Sequence, residues 1–195
     1  FLVIGGDPVI NLEDEKNNQN QTSFIYAYNE NNEPYEYTRL HGEINRIWAD
    51  YKDIPENLVD AFIALEDKRF YSHKGVDWYR LGGVISSLTF DEGASTITQQ
   101  LIKNTTGEDS VTVQRKVLEI FRAQLFEKNY DKDTIMEWYL NTIFLGRGKY
   151  GVKSAAAEYF GKEIQSLTTA ECASLISITN NPSIFGPYGS TFVYK

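Results

Sequence analysis

The sequence predicts a mainly α-helical domain with a small β element at its N-terminal end. From about residue 54 onward, apolar residues recur at helical spacing, and residues that often cap helices precede several of these segments. Residues 1–40 instead combine alternating apolar stretches with a polar tract and a turn signal. The chain has 195 residues, of which 42% are hydrophobic and 14% aromatic, which suits one folded domain with its own core.

The N-terminal element is predicted to be a hairpin or small sheet with a turn at Asn31-Asn32-Glu33-Pro34. We divide the chain into a β or linker segment, residues 1–45, and a main domain, residues 46–195. No run approaches the 18 apolar residues typical of a membrane-spanning helix, and the chain starts with Phe1 rather than methionine. We therefore expect any membrane anchor to lie upstream of this segment.

Six helices are predicted in the main domain. The first has Pro55 at its first position, followed by Leu58, Phe62 and Leu65 at helical spacing. The second and third are a helix capped by Ser95 that ends near Asn104, and one from about Thr112 to Lys128 with an apolar stripe of Val117, Phe121 and Leu125. The last three are a helix capped by Asp131 that contains Ile135, Trp138 and Tyr139, an alanine-rich helix that ends at Gly161, and a helix that starts at a Thr168/Glu171 capping box and stops before Pro182.

The net charge of −8 is unevenly distributed. Residues 1–67 hold 4 basic and 14 acidic groups, whereas residues 68–195 hold 15 basic and 13 acidic groups. The second part can therefore face an anionic substrate without a global electrostatic penalty. No basic run or basic–aromatic patch suggests nucleic acid as a partner. The single cysteine, Cys172, excludes an intrachain disulfide and suits a small buried hydrophobe.

Two patterns in the sequence resemble known binding motifs, but the residues around them argue against a dinucleotide site and a zinc site. The spacing of Gly146, Gly148 and Gly151 matches a dinucleotide fingerprint, but a helical segment rather than a strand precedes it. His41 and His73 are 32 residues apart and lack the spacing of a zinc motif, so His73 is interpreted as a structural hydrogen-bonding residue.

Three segments carry candidate chemistry. Glu66 lies four residues after Phe62, beside the apolar stripe, where a carboxylate is suited to proton transfer near neutral pH; an exposed glutamate at a charged helix end is the simpler alternative. Thr96, Gln99, Gln100 and Lys103 form a polar stripe on a helix whose N-terminus suits phosphate or sugar oxygens, or else an ordinary solvated face. Arg115 and Lys116 share faces with Glu119, a pattern that surface ion pairs also produce.

Together these segments resemble the family 51 glycosyltransferases, the peptidoglycan polymerase domains of bifunctional penicillin-binding proteins and of monofunctional transglycosylases. The family's five segments occur in order between about residues 46 and 188: EDKRFYSHKG, GASTITQQLIKN, RKVLE, IMEWYLN with IFLGRGKYGVKSAAAEYFGK, and LTTAECASLISITNNPS. The resemblance implies a mainly α, lysozyme-like glycosyltransferase fold with a smaller membrane-associated lobe. That lobe corresponds to roughly Trp78 to Asp91, where Leu81 to Ile85 and Leu88 to Phe90 could touch lipid or pack in the core.

The resemblance also implies residue roles. Glu66 matches the family's general base, and Glu119 matches its second essential glutamate. Glu119 is also the candidate ligand for a divalent cation, Mg or Mn, and no organic cofactor is expected. The expected substrate-binding residues are Asp67, Phe70, Ser95, Thr96, Gln99, Gln100, Lys103, Asn104, Arg115 and Lys116. Val111 departs from the family pattern, because many members have an arginine there that helps hold the pyrophosphate.

The implied reaction is the polymerisation of lipid II into β-1,4-linked glycan by inverting transfer, with release of undecaprenyl pyrophosphate. Glu66 would take the proton of the acceptor 4-hydroxyl, while Lys103 and Arg115 would stabilise the leaving group. The implied partners are lipid II, the growing glycan chain, the outer face of the bacterial cytoplasmic membrane and moenomycin-type inhibitors. The alternatives are a lysozyme-like glycan hydrolase, in which Glu66 would act as an acid, and a non-catalytic wall-binding module.

Overall fold

The computed structural model describes residue 12 and residues 23–29, 31–40, 45–87, 95–107 and 112–186. The described part is mainly helical, as the sequence predicts. Its helices are α1 (Glu56–Glu66), α2 (Trp78–Ser87), α3 (Ile97–Thr106), α4 (Val113–Asn129), α5 (Lys132–Thr142), α6 (Val152–Phe160), α7 (Thr169–Asn180) and α8 (Pro182–Phe185). Short 3₁₀ turns cover Tyr51–Asp53, Phe70–Ser72 and Ile164–Ser166.

The strands form two small sheets. Strands β1 (Ser23–Tyr28) and β2 (Pro34–Leu40) pair in antiparallel fashion, with a register shift between Ile25 and Tyr26. Strands β3 (Asn45–Arg46) and β4 (Lys149–Tyr150) pair in parallel over two residues. The turn between β1 and β2 is closed by the side chain of Asn29, whose Oδ1 accepts hydrogen bonds from the backbone N–H groups of Asn31 and Glu33.

Helix α5 lies in the middle of the core, and several of its side chains are fully buried. Helix α3 packs against α4 and α5, while α1 packs against α7. Two polar residues of α5 fasten the segment that leads into α1. Asn141 exchanges two hydrogen bonds of 2.8 Å with the backbone of Ala49, and Glu137 accepts from Trp48 Nε1 and from the Tyr51 N–H. The polar side chains of Asn141 and Glu137 and the backbone groups of Ala49 and Tyr51 therefore serve as each other's hydrogen-bond partners.

Most predicted helix boundaries are confirmed. Asp131 caps α5, Gly161 ends α6 in the left-handed conformation, and Thr168 forms a capping box with Glu171 at the start of α7. The predicted cap of α3 is wrong by one residue. Thr96, not Ser95, is the N-cap: its hydroxyl accepts from the Gln99 N–H, and the Gln99 side chain accepts from the Thr96 N–H.

The predicted apolar stripe of α4 is not its buried face. Val117 is 39% exposed and Phe121 56% exposed, whereas Glu119, Ala123 and Phe126 are buried. Hydropathy identified the wrong face because the packed face carries a carboxylate, which two neighbouring cations neutralise. In α1, likewise, Leu65 is exposed, because Leu58, Val59 and Phe62 form the core face.

The segment expected to form a membrane-associated lobe is described only as far as Ser87, so the predicted contacts of Leu88 to Phe90 lie outside the described residues. In α2, Trp78 and Tyr79 are exposed, while Leu81 packs against the core. Among the described residues, no helix has the length and apolar character needed to cross a bilayer.

Gly75 lies where the chain passes closest to α4, and we predict that Gly75→Ala is strongly destabilising. Its φ is +81°, and an added Cβ would lie 2.4 Å from the carbonyl oxygen of Ala123, which cannot move without disturbing the helix. We expect a loss of about 3 kcal/mol or more in the free energy of unfolding, measured by urea denaturation.

The matched control is Gly107→Ala. Gly107 has a φ of +66° but open space around its Cα, so only the backbone strain of about 1 kcal/mol should remain. Equal losses for the two variants would contradict the close approach of Gly75 to α4.

Candidate active site

Glu66 is the last residue of α1, and side chains from three other helices hold it. Arg80 of α2 donates to the Glu66 backbone oxygen at 2.7 Å. Gln100 Nε2 of α3 lies 2.9 Å from Glu66 Oε2, and Thr179 Oγ1 of α7 lies 3.2 Å from Glu66 Oε1. The carboxylate is half-buried. The sequence placed it against apolar surface, but its nearest partners are an amide and a hydroxyl, both of them uncharged.

Asp67 follows Glu66 and points away from it into the protein. Its side chain is 1% exposed, and its Oδ2 accepts from the Ile97 N–H at 3.0 Å and lies 2.9 Å from His73 Nε2. Ile97 is the first residue of α3, so the carboxylate occupies a helix N-terminus, where negative charge is favoured. The structure therefore places Asp67 as the anchor between α1 and α3, although the sequence suggested contact with substrate.

A buried polar network continues from Asp67 toward α4 and α5. The ring of His73 lies between two carboxylates, with its Nδ1 3.9 Å from Glu127 Oε1. The same Glu127 oxygen accepts from Thr98 Oγ1 at 2.5 Å and from Lys132 Nζ at 2.7 Å. Burial lowers the pKa of Lys132, and the adjoining Glu127 opposes that shift. This network agrees with the structural role predicted for His73.

Phe70 is fully buried, and its ring lies 4.3 Å from Lys132 Nζ. It is therefore a core residue that packs against the polar network, and its expected contact with substrate stays a prediction. His41 and Val111 lie outside the described residues.

The polar stripe of α3 divides into a buried part and an accessible part. Thr96 and Gln99 are buried in the capping box, and Thr96 Oγ1 also donates to the Gly75 carbonyl at 2.7 Å. Gln100 reaches Glu66, while Lys103 and Asn104 are exposed one turn further along. Helical spacing grouped these residues correctly, but the first turn of α3 uses its side chains to satisfy its own N-terminus.

The second carboxylate, Glu119, is clamped between two cations. Its side chain is 6% exposed; Arg115 Nη1 lies 2.5 Å from Oε2, and Lys116 Nζ lies 2.6 Å from Oε1. Lys116 Nζ also donates to Ser95 Oγ at 2.7 Å, which ties α4 to the residue before the α3 cap. The pattern was compatible with a surface ion pair, but burial and the bond to Ser95 make it a structured cationic cluster.

One carboxylate is linked to α3 itself, and the other to the residue that precedes the α3 cap. Gln100 contacts Glu66, and Ser95, just before the cap, contacts the Lys116–Glu119 pair. From Thr96 to Gln100 the helix rises about 6 Å. The site therefore combines a carboxylate with neutral partners and, next to the residue before the α3 cap, a cluster of two cations and one carboxylate.

Three residues at the site were not identified as functional from the sequence. Thr179, Arg80 and Tyr139 contact Glu66 or its partner Gln100, and Tyr139 OH donates to Gln100 Oε1 at 3.1 Å. Tyr139 and Thr179 were placed on predicted helices, but nothing in a helical pattern shows which residue of one helix meets a residue of another.

The donor set at Glu119 does not suit a divalent cation. Both of its oxygens already accept hydrogen bonds from cationic groups, which would repel a metal ion. Within the described ranges, no three His, Cys, Asp or Glu side chains are grouped closely enough to hold a metal ion.

Comparison with known proteins agrees with this architecture. A family model described as transglycosylase matches residues 32–193. Penicillin-binding protein 1A of Clostridium botulinum strain Langeland is 43% identical over 153 residues, 74% of this chain and 18% of that protein. Penicillin-binding protein 2D of Bacillus subtilis is 43% identical over 155 residues, 75% of this chain and 22% of that protein. The chain thus matches about a fifth of the length of these relatives.

We predict that the Arg69–Asp77 ion pair stabilises the segment behind the site. Asp77 accepts from Arg69 Nε at 2.8 Å and from Arg69 Nη2, and its Oδ1 accepts from the Arg80 N–H. The hydrogen bonds from Arg69 lower the pKa of Asp77 to about 2, although its burial opposes the shift. Because the pKa of Asp77 is lower in the folded than in the unfolded protein, its charged form stabilises the fold above a pH of about 4. This stabilisation is lost as the pH falls toward 2.

Asp77→Asn should therefore lower the free energy of unfolding at pH 7 by about 1–2 kcal/mol, less than the full shift because Arg69 is 44% exposed. The difference from wild type should vanish near pH 2, as measured by urea denaturation at both pH values. Asp60→Asn, at an exposed position of α1, is the control and should have little effect. A pH-independent loss for Asp77→Asn would contradict the ion pair.

Proposed function

The chain belongs to the transglycosylase family of peptidoglycan glycosyltransferase domains, and we propose that it polymerises lipid II by inverting transfer with Glu66 as the general base. The observation that carries this proposal is the contrast between the two carboxylates. Glu66 has uncharged partners in Gln100 and Thr179, and among the described residues no cation forms an ion pair with its carboxylate. Glu119 is neutralised by Arg115 and Lys116, so the cationic cluster is a fixed part of the fold.

The proposed reaction needs a base on one side and positive charge on the other. The donor is the growing glycan chain, whose anomeric carbon carries an α-linked pyrophosphate, and the acceptor is the 4-hydroxyl of a second lipid-linked disaccharide. A single in-line displacement inverts the anomeric carbon and gives the β-1,4 linkage. Glu66 takes the hydroxyl proton as the new bond forms, and undecaprenyl pyrophosphate departs with the electron pair of the broken bond.

The positive groups near α3 suit the departing pyrophosphate. Lys103 is exposed on the helix that carries Gln100. Lys116 contacts Ser95 just before the cap of that helix, and Arg115 shares the carboxylate of Glu119 with Lys116. Preorganised cations stabilise the charge that develops on the leaving group, and they need no rearrangement during the reaction. The proposed reaction uses no metal ion at Glu119, because Arg115 and Lys116 engage both of its oxygens.

We further propose that the domain acts at the outer face of the bacterial cytoplasmic membrane, where a lipid-linked precursor would be presented. The exposed rings of Trp78 and Tyr79 at the start of α2 support this placement, since such amphipathic aromatics favour the membrane interface. Moenomycin-type inhibitors are expected to bind the same domain.

A lysozyme-like hydrolase is the competing function, and the cationic cluster argues against it. Hydrolysis of a glycan expels an uncharged sugar hydroxyl after protonation by an acid, so its leaving group carries no negative charge for Arg115 and Lys116 to stabilise. A non-catalytic wall-binding module would leave the exposed edge of Glu66 and its neutral partners without a task.

Glu66→Gln tests the base. We expect glycan polymerisation from lipid II to fall by at least about 100-fold, because the amide cannot accept the proton, while thermal stability changes little. Glu56→Gln, at an exposed position at the start of the same helix, is the matched control and should keep wild-type turnover. Polymerisation by Glu66→Gln at the wild-type rate would overturn the assignment, and cleavage of preformed glycan by the wild type would favour the hydrolase.

Lys103→Ala tests the leaving-group side. We expect kcat/KM for lipid II to fall about tenfold, because one cation near the pyrophosphate is lost. The control is Lys128→Ala, which removes an exposed lysine from the C-terminal end of α4. Equal kcat/KM values for the two variants would remove Lys103 from the proposed site.

A further inference from the structure

The two oxygens of the Glu66 carboxylate have chemically different partners. Oε2 accepts from the side-chain amide of Gln100 at 2.9 Å, and Oε1 lies 3.2 Å from the hydroxyl of Thr179. An amide N–H can only donate, whereas a hydroxyl can donate or accept. This difference bears on how Glu66 carries a proton during the reaction, and the inference below rests on the proposed role of Glu66 as base.

The amide of Gln100 is held in one orientation by Tyr139. The phenol of Tyr139 is fully buried and donates to Gln100 Oε1 at 3.1 Å, which turns the NH₂ group of Gln100 toward Glu66. Burial, and secondarily the charges of Glu66 and Asp67, raise the pKa of Tyr139 well above its usual range. The phenol therefore keeps its proton and stays a donor. Tyr139, Gln100 and Glu66 Oε2 form a chain of hydrogen bonds that all point the same way.

Thr179 is placed to change its role. Its Oγ1 lies 2.7 Å from the backbone oxygen of Ile176, one turn earlier in α7, and 3.2 Å from Glu66 Oε1. One hydroxyl proton cannot serve both acceptors at once. When the proton points to Glu66, the hydroxyl donates to the carboxylate. When it points to Ile176, a lone pair faces Oε1 and can accept a hydrogen bond from a protonated Glu66.

We propose that Tyr139 and Thr179 are positioning residues that direct the acceptor's proton to Oε1 of Glu66. The O–H bond of the acceptor hydroxyl breaks and its proton bonds to Oε1. The hydroxyl oxygen forms the bond to the anomeric carbon, and the pyrophosphate leaves with the electron pair of the old bond. The new Oε1–H group then donates to Thr179 Oγ1, whose own proton turns to the Ile176 oxygen. Oε2 remains an acceptor throughout, because Gln100 offers it only N–H groups.

The charged and titratable groups around Glu66 are compatible with this assignment. From α2, Arg80 binds the backbone oxygen of Glu66 rather than its carboxylate. From α5, Tyr139 remains neutral, and the neighbouring Asp67 points toward Ile97 and His73. Helices α3 and α7 contribute the uncharged Gln100 and Thr179. The described contacts of the carboxylate therefore include no cation that would fix it in its charged form.

Thr179 is tested by a pair of substitutions. Thr179→Val keeps the shape but removes the hydroxyl, so kcat for lipid II polymerisation should fall about tenfold with KM unchanged, whereas Thr179→Ser should restore kcat to within about threefold of wild type. Thr142→Val is the matched control, since the Thr142 hydroxyl also bonds backbone oxygens of its own helix but does not contact Glu66. Wild-type kcat for Thr179→Val, or equal losses for the Val and Ser variants, would overturn the proposal.

Tyr139 is tested by the pH profile of Tyr139→Phe. A hydrogen bond donated to a carboxylate favours its charged form. Without Tyr139 the amide of Gln100 is no longer held toward Glu66, so Glu66 should keep its proton to a higher pH. The acid limb of kcat/KM should therefore move to higher pH, with kcat lowered about tenfold at neutral pH. Tyr159→Phe removes a phenol that donates to the Leu145 carbonyl and should leave both quantities unchanged. An unmoved acid limb in Tyr139→Phe would overturn its positioning role.

A measurement without turnover separates this inference from the proposed function. In a double-mutant cycle read by urea denaturation, Tyr139→Phe should cost less stability in a Gln100→Met background than in wild type, because the shared hydrogen bond is already absent. Additive losses would exclude the Tyr139–Gln100 coupling whatever the enzyme does. Coupling together with full polymerisation by Glu66→Gln would instead reject Glu66 as the base.

Discussion

The arrangement of the site depends on the buried carboxylate of Asp67. By accepting from the first N–H of α3 and contacting His73, it joins the end of α1 to the start of α3. Because Glu66 immediately precedes Asp67, that anchor fixes Glu66 beside Gln100, one turn into α3. Burying a carboxylate without such partners would cost free energy. The N-terminus of α3 and the imidazole of His73 therefore stabilise the turn that contains Asp67.

The network beyond Asp67 explains why the turn is rigid. The imidazole of His73 lies between the carboxylates of Asp67 and Glu127, and Lys132, at the start of α5, forms an ion pair with Glu127. The side chains of Asp67, His73 and Glu127 are at most 6% exposed, so the low local dielectric strengthens their interactions and raises the cost of losing any one of them. The buried network that includes the Glu127–Lys132 ion pair supports Asp67, and the uncharged donors Gln100 and Thr179 hold Glu66.

The sequence predicted the helices and the pair of glutamates, but not how the polar residues are shared between folding and chemistry. Gln99 and Gln100 are adjacent on one predicted stripe, yet Gln99 closes the cap of α3 while Gln100 reaches Glu66. On α4, the apolar residues Val117 and Phe121 are exposed, and the buried face carries Glu119. Periodicity records which residues share a face. It does not record which neighbour meets that face, and here the neighbours are Arg115 and Lys116 of the same helix.

The contrast between Glu66 and Glu119 follows from these local contacts rather than from the residue type. A carboxylate that contacts a cation through each of its oxygens, as Glu119 does, holds those two cations in place. A carboxylate between an amide and a hydroxyl retains an oxygen whose partner accommodates either protonation state. Gln100 of α3 contacts Glu66, and Ser95, just before the α3 cap, contacts Lys116, so the start of α3 links the proton acceptor to the positive charge. A reaction that removes a proton at one end and expels a diphosphate at the other requires that arrangement to be fixed before substrate arrives.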